Sequence, residues 1–506
     1  MPAIDYVERI ASAERVYDVA RRTELEHAAR LSERLGNEVW LKREDSQPVF
    51  SFKLRGAYNK ICQLSETEAA AGVICSSAGN HAQGVALAAK ERGIRATIVM
   101  PLTTPAIKSD AVRRLGGHVV LHGDTYDDAQ QHAHGLAARD GLLFVHPFDD
   151  PDVIAGQGTI GREILEQSAT TPDAIFIPIG GGGLAAGIAS WVRAKAPSVR
   201  LIGVEPVDAA SMQAAFAAGQ PIALDDVGGF ADGVAVRQVG AETYRLCRQL
   251  LDDIVTVDTD ETCAAIQDLF EDTRTVVEPA GALAVAAISQ QVAAQNLKGE
   301  RLIAINCGAN MNFDRLRHVV ERSATGRDTE ALLAVDLPER PGAFLAFSQT
   351  LGRRSVTEFN YRKRDGDIAR VFVGVGLTSG GSEKEALLAA LQDGGYHATD
   401  LSDNELAKLH IRHMVGGLGP LAGNERLYRF RFPERPGALA KFLTAVGADC
   451  NISLFHYRNH GSDYGRVLAG IEVAGDMRAA LERHFASLGY PWWDETDNAA
   501  YRLFLR

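Results

Sequence analysis

With 506 residues, 46% of them hydrophobic and 23% charged, the chain is a globular sequence long enough for two to four domains. Its 53 basic side chains against 65 acidic ones give a formal charge of −12, which argues against the basic face of a dedicated nucleic-acid binder. No apolar run approaches the roughly 18–20 residues that cross a bilayer, so neither nucleic acid nor membrane is an expected partner.

Six cysteines (Cys62, Cys75, Cys247, Cys263, Cys307 and Cys450) lack CxxC or zinc-ligand spacing and read as reduced thiols. The N-terminal segment Met1–Arg9 has early acids and no apolar h-region, unlike a secretory or organellar leader. A cytoplasmic protein is expected.

Short apolar runs alternate with Ala-rich helical patterns from about residue 38 to 320. The predicted strand Glu38–Lys42 comes first, and after it the segment Pro48-Val-Phe-Ser-Phe-Lys-Leu-Arg-Gly-Ala57. Lys53 lies there between Phe52 and Leu54. An amine in partly dry apolar surroundings loses its proton more readily, as a lysine holding an aldehyde cofactor as a Schiff base must. Most lysines, however, are only solvated surface charges.

A strand over Gly72–Cys75 leads into Ser76-Ser-Ala-Gly-Asn-His-Ala-Gln-Gly84 and a helix over Ala82–Arg92. Hydroxyl, amide and imidazole groups at a helix N-terminus suit a carboxylate- or hydroxyl-binding loop, and equally a simple Ser/Asn helix cap. Further strands are expected at Ala96–Met100, His118–His122 and Ala174–Pro178, with a helix over Ile107–Leu115. The run Ile179-Gly-Gly-Gly-Gly-Leu184 then opens a helix over Ala185–Ala194. Four glycines bare the backbone N–H groups at the positive end of that helix, a site suited to phosphate. Neither the nucleotide P-loop nor the dinucleotide fingerprint has this glycine spacing. Strands at Arg200–Val204 and Arg301–Asn306 follow, the second running into Asn306-Cys-Gly-Ala-Asn310, by itself an ordinary turn. Strand–helix alternation predicts a doubly wound, mostly parallel α/β sheet with its ligand beyond the carboxyl ends of the strands.

The pattern changes near residue 325, where the polar segment Ser323–Asp328 reads as a linker. Leu337-Pro-Glu-Arg-Pro-Gly-Ala-Phe344 recurs as Phe432-Pro-Glu-Arg-Pro-Gly-Ala-Leu439. Arg370-Val-Phe-Val373 likewise answers Arg466-Val-Leu-Ala469. Each copy reads as a small ferredoxin-like α+β module. The expected division is 1–325, 326–404 and 405–506.

Together SFKLRGA, SAGNHAQG, GGGGL and the CGAN turn resemble the fold-type II pyridoxal phosphate enzymes, and most closely the biosynthetic threonine dehydratases. The resemblance spans the chain and implies pyridoxal 5′-phosphate held covalently by Lys53. It places Asn80 on the cofactor's ring oxygen and Gly180, Gly181, Gly182, Gly183 and Leu184 around its phosphate. Cys307 would be a neutral partner for the pyridine nitrogen where serine is usual, which suits elimination more than transamination. Ser77, Ala78, Gly79, Asn80 and His81 would hold the substrate carboxylate.

The activity implied is L-threonine ammonia-lyase, yielding 2-oxobutanoate and ammonia, with L-serine as a second substrate. The repeated modules resemble ACT-like regulatory domains, implying isoleucine as feedback effector, valine opposing it, and a homotetramer. Glu205 matches one carboxylate of a cation site in some relatives, but Ser211 stands where a second would fall, and no metal is assigned. A serine dehydratase or serine racemase on the same fold would lack the tandem modules. A catalytically dead amino-acid sensor would have no use for Lys53, Asn80 and the glycine loop together.

Overall fold

A computed structural model describes residues 4–338, 343–352, 354–361, 367–378, 380–413, 425–433, 442, 451–458, 464–473 and 477–505. It divides into two compact units, Met1–Asn312 and Phe313–Arg506.

The first unit holds ten strands: β1 (Leu25–His27), β2 (Glu38–Arg43), β3 (Val73–Ser76), β4 (Ala96–Met100), β5 (His118–Leu121), β6 (Leu143–Phe144), β7 (Ala174–Pro178), β8 (Arg200–Pro206), β9 (Asp253–Val257) and β10 (Arg301–Asn306). Six form a sheet in the order β1-β2-β10-β7-β8-β9, parallel except for β1. Four form an all-parallel sheet in the order β5-β4-β3-β6. Every residue of β3, β4 and β7 is buried, because helices cover both faces of a parallel sheet.

Strand order reverses twice. The larger sheet grows outward from β7 through β8 and β9, then returns to place β10 on the other side of β7. In the smaller sheet β4 and β6 flank β3. Such reversals open crevices at the carboxyl ends of the strands. The chain after β3 is Ser77–Asn80, after β7 it is Ile179–Gly183, and after β10 it is Cys307–Asn310, so three of the four sequence motifs lie at these two crevices.

The fourth motif begins the helix Lys53–Ile61, buried at Leu54 through Asn59. Glycine decides how closely its neighbours approach. A Cβ on Gly56 would lie 2.5 Å from Gln157 Nε2, and one on Gly156 2.7 Å from the Arg55 carbonyl, so this helix crosses Pro151–Gln167 backbone to backbone. A Cβ on Gly84 would lie 3.2 Å from the Lys53 carbonyl, so the helix Asn80–Glu91 presses on the lysine's own backbone.

Among its described residues the second unit carries two four-stranded antiparallel sheets. The first runs β12-β13-β11-β14, from β11 (Glu330–Pro338), β12 (Val356–Tyr361), β13 (Ile368–Gly376) and β14 (His397–Asp400). With the helices Ala343–Leu351 and Gly381–Asp393 this is the expected ferredoxin-like order. The second runs β16-β17-β15-β18, from β15 (Glu425–Pro433), β16 (Asn451–Arg458), β17 (Tyr464–Glu472) and β18 (Trp492–Asp494). Leu332, Ala334 and Phe372 of one sheet share an apolar cluster with Leu427 and Leu468 of the other.

Most of the two Pro-Glu-Arg-Pro-Gly-Ala turns lies outside the described residues. The copies differ in charge: Asp336 faces Arg370 across β11 and β13 and accepts from its Nε at 2.6 Å, whereas the corresponding pair on β15 and β17 is Arg431 and Arg466. The segment expected as a linker is instead the end of the helix Arg315–Gly326, where Ser323 is buried and its carbonyl accepts from Arg327 N–H. Helical i to i+4 bonding and burial override the polar composition there. No helix of the described residues is long and apolar enough to cross a membrane.

Candidate active site

The lysine segment and the CGAN turn are stitched together by backbone. Ser51 bridges Gly308, Phe52 N–H donates to the Cys307 carbonyl at 3.3 Å, and Ala309 N–H to the Phe50 carbonyl at 2.9 Å. Phe50 adopts φ 55°, in the left-handed region an aromatic residue seldom enters, as the chain turns toward Lys53. The Lys53 Nζ donates to the Pro147 carbonyl at 3.3 Å and lies 5.1 Å from the Phe52 ring centre. Burial pushes its pKa down to about 8, against the opposing pull of Cys307 and Glu278. A substantial fraction of this amine is therefore neutral, hence nucleophilic, near physiological pH.

The glycine loop is walled closely, so a side chain at any of its glycines would press on its neighbours, hardest at Gly181. A Cβ would lie 3.0 Å from Val234 at Gly180, 2.2 Å from the Phe148 ring at Gly181, 2.7 Å from Met212 at Gly182 and 3.0 Å from Phe148 at Gly183. Gly182, at φ 95°, is the N-cap of the helix Gly183–Lys195. Thr243 Oγ1 donates to the Gly181 carbonyl at 2.6 Å. Asp149 in turn holds Thr243 by accepting its backbone N–H at 3.0 Å. The loop thus presents bare N–H groups at the positive end of a 13-residue helix.

Asn80 begins the helix Asn80–Glu91 after Gly79, whose N–H donates to Ser77 Oγ at 3.2 Å. A Cβ on Gly79 would meet nothing within 4 Å, so space opens beside this loop. His81 is buried, and its Nε2 lies 2.9 Å from the Val145 carbonyl. A carbonyl only accepts, so Nε2 carries the hydrogen; desolvation first, then Lys53, push the imidazole pKa down to about 3 and keep the ring neutral. The His81 side chain therefore braces the smaller sheet, while its backbone remains part of the loop.

Cys307 donates through Sγ to the Ala280 carbonyl at 3.2 Å. Burial, with Glu278 adding to it, raises its pKa, so it is a neutral thiol. Asn306 beside it is fully buried, and among the described residues neither its Oδ1 nor its Nδ2 has a hydrogen-bond partner. An unpaired buried amide costs roughly 1–3 kcal/mol. Asn306→Leu, its apolar isostere, should raise stability by an amount on that scale, read as a higher denaturant midpoint. Lower stability would show that the amide has a polar partner in the working protein.

These groups fit an aldehyde phosphate cofactor. A buried amine whose pKa is lowered can bind the aldehyde, bare glycine N–H groups at a helix N-terminus can take the phosphate, and a neutral thiol and an amide stand nearby. Residues 16–308 match the family described as "Pyridoxal-phosphate dependent enzyme", and 321–411 and 418–505 match the "C-terminal regulatory domain of Threonine dehydratase". The chain is 54% identical over 508 residues to the biosynthetic L-threonine dehydratase of Burkholderia multivorans, covering 100% of both. The chain belongs to the biosynthetic threonine dehydratases.

Other family members agree. The biosynthetic L-threonine dehydratase of Escherichia coli is 54% identical over 490 residues, with 97% of this chain and 95% of that one covered. Among solved structures, the processed threonine deaminase isoform 2 of Solanum lycopersicum matches with TM-score 0.62 and 50% identity over 63% of this chain and 92% of its own. Maize serine racemase matches with TM-score 0.59 and 33% identity over 62% of this chain and 96% of its own. As a family member, the chain is a pyridoxal phosphate enzyme with a C-terminal regulatory region.

Sequence reasoning left out Phe148, Thr243 and above all Glu278, each within reach of the motifs only after folding, and it gave Asn310 no role of its own within the CGAN turn. Glu205, considered as a cation ligand, accepts from Met212 and Gln213 N–H at 2.8 Å each, and so caps the helix Ser211–Ala218. Burial pushes its pKa up to about 7, leaving it partly protonated beneath the glycine loop.

Proposed function

We propose that the chain catalyses pyridoxal phosphate-dependent α,β-elimination of L-threonine to 2-oxobutanoate and ammonia, the first step of isoleucine biosynthesis. Catalysis is assigned to residues 1–325 and feedback control by isoleucine, opposed by valine, to the modules at 326–404 and 405–506. A homotetramer and turnover of L-serine to pyruvate go with this reading. The observation that carries it is the partly neutral Lys53 amine in one crevice system with the glycine cradle and the Cys307 thiol, in a chain 54% identical end to end to a biosynthetic L-threonine dehydratase.

Bound cofactor supplies the electron sink that makes the substrate Cα proton acidic. Lys53 would hold the cofactor through its amine, and that amine, when free, would serve as general base for the substrate Cα proton. Gly180 to Leu184 hold the phosphate through backbone N–H groups. Asn80 would serve the ring oxygen, and Cys307 would offer the ring nitrogen a neutral partner. Ser77 to His81 receive the substrate carboxylate at a helix N-terminus.

Titrating isoleucine against fixed L-threonine while following 2-oxobutanoate tests the whole reading. Activity on threonine that falls with isoleucine and recovers with valine is expected. Turnover indifferent to isoleucine removes the feedback assignment, and absence of 2-oxobutanoate removes the substrate.

A further inference from the structure

Glu278 is 3% exposed and is the N-cap residue of the helix Pro279–Gln295, yet its carboxylate makes no cap hydrogen bond to that helix. It turns instead to the catalytic crevice, where Asn80 Nδ2 donates to its Oε1 at 2.6 Å. The backbone clears the way for it: a Cβ on Gly308 would lie 2.2 Å from Glu278 Oε1, and one on Gly233 3.5 Å from it. Glu278 N–H donates to the Gly308 carbonyl at 3.2 Å, fixing its backbone to the turn that carries Cys307.

Asn80 is also held from its other side. Asn310 Nδ2 donates to Asn80 Oδ1 at 2.7 Å and to the Val49 carbonyl at 2.7 Å. An amide side chain can in principle be turned over, exchanging its oxygen and nitrogen. Here both ends of the chain of bonds are acceptors. The Val49 carbonyl can only accept, so Asn310 must present its nitrogen there and toward Asn80 Oδ1. The Glu278 carboxylate, when ionised, can only accept, so Asn80 must present its nitrogen to Glu278. The two bonds favour the same orientation of Asn80 from opposite sides, and the amide is held firmly only while both are made.

We infer that Glu278 is a positioning residue which, with Asn310, locks the Asn80 amide so that Asn80 offers the cofactor ring oxygen an N–H and never its own carbonyl oxygen. One Asn80 N–H is committed to Glu278, its Oδ1 is committed to Asn310, and the second N–H is left for the ligand. A fixed donor at that place stabilises the deprotonated form of the ring oxygen and disfavours the protonated one. The inference rests on the pyridoxal phosphate reading of the site and adds to it an origin for the polarity of Asn80.

The test compares Glu278→Met, which keeps length and removes the acceptor, with Glu278→Gln, whose amide oxygen can still accept. Both are read by cofactor affinity on reconstituting the apo protein and by the pH dependence of the visible band of the holoenzyme. Glu278→Met should weaken cofactor affinity roughly ten- to hundredfold, as expected for loss of a hydrogen bond to a charged group. It should also move the pH-dependent band conversion upward, because the ring oxygen loses its fixed donor. Glu278→Gln should retain most of both properties, and Asn310→Ala, acting at the other end, should shift the band in the same direction as Glu278→Met. Wild-type affinity and an unchanged spectral titration in Glu278→Met overturn the inference, as does a Glu278→Gln variant equally damaged, which would assign the role to charge alone. Should Glu278→Met fail to fold, an Asn310→Ala variant with the wild-type titration is sufficient to overturn it. Wild-type protein with no visible band removes the cofactor reading itself, whereas a normal wild-type band beside silent variants removes only the role of Glu278.

Discussion

Lys53→Ala should give a folded protein with no visible cofactor band and with 2-oxobutanoate production lowered by at least about a thousandfold. One residue carries both the covalent hold and the proton transfer, and a positioned general base alone contributes about 10²- to 10⁴-fold. Folding should survive, because Nζ makes one 3.3 Å hydrogen bond, to Pro147, and the helix is held by its buried face. Circular dichroism and the denaturant midpoint check that half of the expectation. In the wild-type apo protein, uptake of an aldehyde should quicken as pH rises through about 8, where burial has placed the Lys53 pKa. The same depression sets the sign for stability. The unfolded chain, with an ordinary lysine, binds one more proton than the folded one between about 8 and the usual lysine range, so the apo fold gains stability as pH rises through that window. Residual turnover in Lys53→Ala close to the wild-type rate would remove Lys53 from the chemistry.

What could be read before folding followed from local chemistry. The glycine run and the Asn80 segment carry their meaning in contiguous residues at strand–helix junctions. Largely apolar runs at 96–100, 174–178 and 301–306 marked buried parallel strands to the residue. The strands Leu25–His27, Leu143–Phe144 and Asp253–Val257 escaped notice, two of them too short to show a period and the third at the sheet edge with an exposed aspartate. Glu278 was invisible for a different reason. A glutamate before proline at a helix start is an ordinary pattern. Only tertiary packing brings it to Asn80, 198 residues earlier. Phe148 is similar: its role is to wall the glycine cradle, and nothing in Pro147-Phe-Asp149 announces that. The Ser323–Asp328 segment failed as a linker because composition cannot reveal that Ser323 turns inward.

Glu163→Ala should be the most destabilising single substitution in the catalytic unit, by about 3–5 kcal/mol, because it removes one member of a fully buried charge network. Glu163 accepts from Lys42 Nζ at 2.5 Å, from Arg55 Nη2 at 3.0 Å and from the Tyr17 hydroxyl at 2.8 Å. Arg55 also grips Glu44 through Nε at 2.8 Å and Nη2 at 2.7 Å. Lys42, Arg55, Glu44 and Glu163 are all fully buried and together sum to zero charge. Without Glu163, two buried cations face Glu44 alone. The network is also mechanical: Arg55 stands two residues from Lys53 in the helix Lys53–Ile61, and Glu163 lies on Pro151–Gln167, the helix packed against it at Gly56 and Gly156. Glu163→Ala should therefore weaken cofactor retention as well as lower the urea midpoint. Glu163→Gln, which keeps the shape and one acceptor oxygen, should do less of both. The pH dependence supplies the decisive sign. Burial already lowers the pKa of Lys42, and loss of Glu163 removes the charge that most opposes that burial. The variant's folded Lys42 should shed its proton at lower pH than the unfolded chain does, so the deficit should shrink as pH rises toward the ordinary lysine range. A deficit constant with pH would mean that the loss is one of packing, and that Lys42 and Arg55 find other compensation in the folded protein.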